Sequence, residues 1–194
     1  MAIQTQKIEP QWNYFLAIER DLEKLSRYVE FDERNFGCFS VEIARILLAS
    51  GAEVDVVCKQ LCNQINSQSS ADNINLYRNE LKDAFPDIPQ FEVWLPRFGL
   101  TFKPWDAWNK NNGVPLWWTA NNKIKHNRDA EYHQASLKNA LNAVAGLYVV
   151  VLYLYKNKAR SGELLPLPLL LRPGEEHSGG MTMGIYEFGI NYKL

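Results

Sequence analysis

Arg128 and His133 stand close together in NNKIKHNRDAEYH, residues 121–133, a stretch that also carries Lys123, Lys125, His126 and Asp129. An arginine and a histidine at this spacing are chemically equipped to work on a phosphodiester. A histidine, with an ordinary pKa of about 6.5, can take a proton from a ribose 2′-OH or give one to a leaving 5′-oxygen. A guanidinium can hold the phosphate through two parallel hydrogen bonds and stabilise the charge that develops. Together they could cleave RNA with neither a metal nor an organic cofactor.

Other readings of the same residues stand beside this one. His133 lies four residues before Leu137, so a continuous helix would turn it towards a bundle interior as a hydrogen-bonded core histidine. An unbroken helix from His126 would place His126 and His133 two turns apart on one face, making His126 with Lys123, Lys125 and Arg128 a rival phosphate-handling group. The bland reading of KIKHNR is a solvated helix end, its basic residues pairing with carboxylates or favoured by the C-terminus of the preceding helix. Three basic side chains against two carboxylates leave residues 121–133 at a net +1, and a dimer would bring two such patches together. A second Arg-x4-His, Arg172 to His177, contains Pro and Gly that argue against a helix. Spacing alone is therefore weak. Context favours the first instance, because a helix predicted to begin at residues 127–130 would point free backbone N–H groups at a phosphate.

The remaining chemistry is sparse. Cys58 and Cys62 share a helix face at i,i+4, but without a histidine or further cysteine beside them they read as buried apolar thiols rather than a metal or redox pair. Gly-rich phosphate loops, HExxH and GxSxG are absent. Glu53 or Asp55 could orient a site residue, although solvent ion pairs are the first expectation for Glu42, Glu53 and Asp55. Trp94, Trp105, Trp108, Trp117 and Trp118 could stack unpaired bases beside Arg97, Lys103 and Lys110, or could dock a poorly cored segment onto the helices.

Six stretches must position these residues. Residues 9–31 carry Trp12, Phe15, Ile18, Leu22, Leu25 and Val29 at steps of three and four, the pattern of an amphipathic helix with charges between. Ser40 opens a second, long helix, which Gly51 weakens in its middle. Asp72 caps a shorter helix that Pro86 ends. Residues 85–118 hold five of the tryptophans and two short β-like runs, 91–95 and 100–102. A helix beginning near Pro115 carries WWTANNKIKH, and the last, apolar helix is predicted from residues 127–130 to about Lys158. The tail is rich in Pro and Gly, with a possible strand at 183–188.

With 194 residues, 46% of them hydrophobic, the chain can bury one substantial core. Its formal net charge of -1 provides no overall field for nucleic acid or anionic lipid. The N-terminal MAIQTQKIEPQWNYF lacks a secretory pattern, which points to the cytoplasm. The apolar run 143–155 falls short of the roughly 18 to 20 residues of a membrane span and reads as a core helix, so no membrane association is expected.

At Arg128-Asp129-Ala130-Glu131-Tyr132-His133 the chain resembles the HEPN superfamily of small helical bundles, whose active members carry Arg-x4-6-His, often with a polar residue after the Arg. The order of elements agrees: two long helices, then a shorter one leading through the motif into a long apolar helix. The resemblance covers residues 9–68 and 115–158. With the periodicity above, the expectation is a mainly α fold, a bundle of about four main helices over 1–160 with a Trp/Pro-rich insertion at 85–114, and an extended segment at 161–194 packed on the same domain; the insertion and the tail lie outside the resemblance. The resemblance also implies a homodimeric, metal-independent endoribonuclease in a toxin or phage-defence role, with RNA as substrate and a possible antitoxin or regulatory partner. Arg128 would then be the phosphate clamp, His133 the acid or base and Asp129 the residue positioning the arginine; His126, Lys125 and Lys123 would support the site or bind RNA. The alternatives are an inert module of the same fold that binds RNA or a partner protein, and an interaction protein that uses its tryptophans and tail.

Overall fold

The stretch LKNALNAVAGLYVVVLYL is apolar on nearly every side, so the helix it forms must be covered all round. In the computed structural model, which describes residues 9–183 and 188–194, this helix is the centre of the fold. Residues 1–8, part of the N-terminal stretch read above, lie outside the described residues. The helices are α1 (Pro10–Leu25), α2 (Val41–Ile65), α3 (Ile74–Ala84), α4 (Leu116–Glu131), α5 (Leu137–Leu154) and α6 (Lys156–Ser161). Short antiparallel strands complete the chain: β1 (Val93–Leu95), β2 (Leu100–Phe102), β3 (Arg172–Pro173), β4 (Ser178–Met183) and β5 (Phe188–Tyr192). The protein is thus mainly helical. α5 packs most extensively against α2, with α1 and α4 on its flanks. By length and composition α5 could cross a membrane, but 83% of it is buried inside this fold, as expected of a core helix.

Local sequence accounts for most boundaries. The Ser40 hydroxyl accepts from Ile43 N at 3.2 Å and starts α2, which runs through Gly51 unbroken. Asn73, not Asp72, caps α3, accepting from Asn75 N and Leu76 N. α1 stops at Leu25, well short of Phe31. The predicted last helix begins later than expected. Asn127, at φ −145° and ψ 48°, kinks α4; a 3-10 turn follows at Tyr132–Gln134; and Ser136 caps α5 at Leu137. It also ends sooner, at Leu154, where Tyr155 breaks the path into α6.

β1 lies between β2 and β3, while β4 and β5 form a separate hairpin. The predicted strand at 183–188 touches only the ends of that hairpin, since residues 184–187 lie outside the described residues. Gly189 brings the hairpin against the end of α6, where an added Cβ would sit 1.8 Å from Gly162 O. Gly189→Ala must therefore push β5 away, and a loss of about 1–3 kcal/mol in a thermal melt is expected.

Residues 163–171 form a strap across α1. The buried Glu19 carboxylate, 1% exposed, accepts from the amides of Leu169, Leu170 and Leu171 at 2.6, 2.8 and 2.9 Å. The Trp12 indole donates to Pro166 O at 3.1 Å. Farther along, His177 is buried against the Phe91 ring, with centroids 4.0 Å apart, and its Nδ1 has no hydrogen-bond partner among the described residues.

Burial pushes the His177 pKa below its usual 6.5, although Asp87, Glu176 and Glu92 oppose the shift. The unfolded chain therefore takes up this proton more readily than the folded one, so the contribution of a neutral His177 is complete above pH 6.5 and is lost as the pH falls from there towards the folded value. Urea titrations at pH 7.5 and pH 5 should show an acid-side loss in the parent that is smaller in His177→Gln; equal losses would rule out His177 as the source.

Candidate functional site

The opening motif lies on the corner between α4 and α5. Tyr132 packs edge-on against Phe39 with centroids 5.5 Å apart, and Leu137 N and Lys138 N donate to Cys38 O and Phe36 O at 2.8 and 3.2 Å. The segment 36–39 thus pins the corner from beneath. Above it Lys123, Lys125, His126, Arg128, Asp129 and His133 are all exposed.

This geometry corrects several expectations. Arg128 directly follows the kink at Asn127 in the last stretch of α4, and a 3-10 turn separates it from α5, so it does not sit at the N-terminus of α5. His133 does not face a core; its side chain is 61% exposed. The break at Asn127 removes the continuous helix that would align His126 with His133. Asp129 makes no hydrogen bond to Arg128 among the described residues, so within one chain it does not hold the guanidinium.

The remaining contacts are suggestive of acid–base chemistry without completing it. Gln134 Nε2 lies 2.9 Å from His133 Nε2, a contact that holds the imidazole at the corner. The Glu131 carboxylate is 4.0 Å from the same nitrogen and forms an ion pair with Lys123 at 3.3 Å. Arg128, Lys125 and His126 form no ion pair or side-chain hydrogen bond with other described residues. No protein-family model, curated protein or solved structure matches the chain.

The first half of the same segment turns inwards. Asn121, Asn122 and Lys125, with Trp118 one turn earlier, line a cleft of about 730 Å³ whose facing wall is α2 and whose end is the start of α3. Asp55 belongs to this cleft and not to the Arg128 corner. It accepts from Tyr77 Oη at 2.8 Å and pairs with Lys59 at 2.5 Å, while burial first, and Asp55 second, raise the Tyr77 pKa. Glu42 pairs with Arg45 at 2.9 Å on the surface, as expected of an exposed carboxylate. Glu53 is partly buried, which raises its pKa, and does not line the cleft.

Asn121 was invisible as a site residue in the sequence. It sits at i+3 from Trp118 on the inner stripe of α4, but its neighbour Gly51 is on a distant part of the chain. The tryptophans mostly dock: Trp105, Trp108, Trp117 and Trp118 are buried, and only Trp94, 43% exposed, has a face free for a ligand. Cys58 and Cys62 are buried too, and burial raises both thiol pKa values, that of Cys62 to about 12, which makes them poor nucleophiles.

Proposed function

We propose that the chain is a HEPN-like, metal-independent endoribonuclease whose Arg128 and His133 act where two copies meet in a homodimer. The observation that supports this most is the pair itself: an exposed guanidinium without an acidic partner among the described residues and an exposed imidazole, both carried on one pinned corner. A single copy provides no wall of N–H groups around them. A second copy brings another guanidinium and another histidine, so one can act as base and the other as acid. Lys123, Lys125 and His126 extend the basic strip along α4. The family resemblance adds a toxin or phage-defence role and a neutralising protein partner to this proposal.

A second reading, an inert module that binds RNA or a partner protein, draws its support from Asp129 and Glu131, which reduce the positive charge beside Arg128. Incubation of mixed cellular RNA with purified protein in EDTA separates the two. The nuclease yields fragments with 2′,3′-cyclic phosphate ends, and His133→Ala or Arg128→Ala, folded by circular dichroism, loses at least about a hundredfold in rate. Intact RNA with the parent protein at dimer-forming concentration leaves the binding module.

A further inference from the structure

Asn121 presents a problem that the α4–α5 corner does not answer. Its side chain is 5% exposed, it lines the cleft between α2 and α4, and its Oδ1 is buried with no hydrogen-bond partner among the described residues. Its Nδ2 donates to no described group either. A buried amide oxygen without a partner is costly. Gly51 makes room for it: a Cβ at that position would sit 2.4 Å from Asn121 Cγ. α2 is thus thinned to allow the amide against it.

The cleft around this amide has a definite chemical character. Asp55 and Asp72 provide acceptors inside it, Trp118 and Ala52 provide apolar wall, and Lys125 contributes a positive charge. The start of α3 does not serve as an anion site, because Asn73 Oδ1 already accepts from Asn75 N and Leu76 N at 3.1 and 3.2 Å. Two carboxylates and an unpartnered amide oxygen disfavour a phosphate against them and suit a neutral group that donates hydrogen bonds. A volume of about 730 Å³ lies in the usual range for a small-molecule site.

We infer that this cleft binds an amino-bearing nucleobase, with Asn121 pairing its edge and Lys125 meeting the phosphate that follows. An asparagine amide matches the adenine N6–N7 edge, with Oδ1 accepting from the amino group and Nδ2 donating to the ring nitrogen. The basic strip beyond Lys125 leads to Arg128, so an unpaired base in the cleft would hold its strand across the candidate cutting corner. The source of the base, an RNA strand, rests on the proposed ribonuclease reading; the base chemistry itself does not.

The test is fluorescence anisotropy with short labelled single strands: oligo(A), and the same strand built from purine riboside, which lacks only the amino groups. Adenosine monophosphate is titrated separately by calorimetry. The parent should prefer oligo(A) about tenfold. Ala52→Trp, at an exposed position on the α2 wall, should fill the cleft and abolish the preference while leaving salt-dependent binding; Asn121→Leu should do the same. Equal binding of both strands by the parent, or a preference that survives Ala52→Trp, overturns the inference and leaves the RNA reading intact. If no strand binds but adenosine monophosphate does, and Ala52→Trp removes it, the RNA reading falls and the nucleobase cleft stands. If nothing binds, both fall.

Discussion

Glu19→Ala is expected to remove about 3–5 kcal/mol of folding stability, the cost of taking away one side of a buried charged hydrogen-bond cluster. The reason is the arrangement on α1. Three consecutive strap amides, Leu169 to Leu171, donate to a single carboxylate that is almost wholly shielded from water. Alanine leaves those donors without an acceptor. Glu19→Gln retains one carbonyl oxygen and should lose roughly half as much. The control is Glu42→Ala, whose ion pair with Arg45 is exposed and should be worth less than about 1 kcal/mol. Urea unfolding of the three variants checks the ranking; similar midpoints for Glu19→Ala and Glu42→Ala would mean that the strap does not hold α1.

Trp105→Ala should cost a comparable amount, about 3–5 kcal/mol. Trp105 is fully buried, its ring lies 4.3 Å from Trp108 and 5.2 Å from Trp117 by centroids, and its indole N–H donates to Gly146 O at 3.1 Å. It therefore joins the 105–109 turn to α4 and α5 at once. α5 is shaped to receive this cluster, since a Cβ at Gly146 would meet Trp117 Cζ2 at 2.8 Å. Trp105→Phe keeps most of the burial and loses the hydrogen bond, so a loss of about 1–2 kcal/mol is expected. Near-ultraviolet circular dichroism should report the same event, because coupled indoles give a signal that Trp105→Ala disperses. An unchanged melt would show that residues 85–114 contribute little to the core.

The parts of the fold legible in the sequence were those determined by neighbours along the chain. α2 followed from Ser40 and its apolar stripe, and α5 from a run too apolar for any exposed face. The start of α5 was misplaced because Arg128, Asp129, Ala130 and Glu131 all suit a helix, whereas the break depends on Asn127 and on Phe36 and Cys38 accepting from the next turn. Glu19 was readable in part: it sits at i+4 from Phe15 and three before Leu22, on the core side of α1. Its partners, 150 residues away, were not. The same holds for the candidate site. The exposed basic strip was legible as composition, but the division of residues 121–133 into an inward half and an outward half arises from the kink at Asn127 and the space left by Gly51. Local patterns carry no record of either.

The strap over α1 also bears on how the chain assembles. The amides that satisfy Glu19 follow it by 150 residues in the chain. Until they arrive, closing α1 onto the core would bury a bare carboxylate, so water holds the helix away from its final seat. Docking of α1 and docking of the strap are therefore coupled, although 150 residues separate them: neither reaches its final seat without the other.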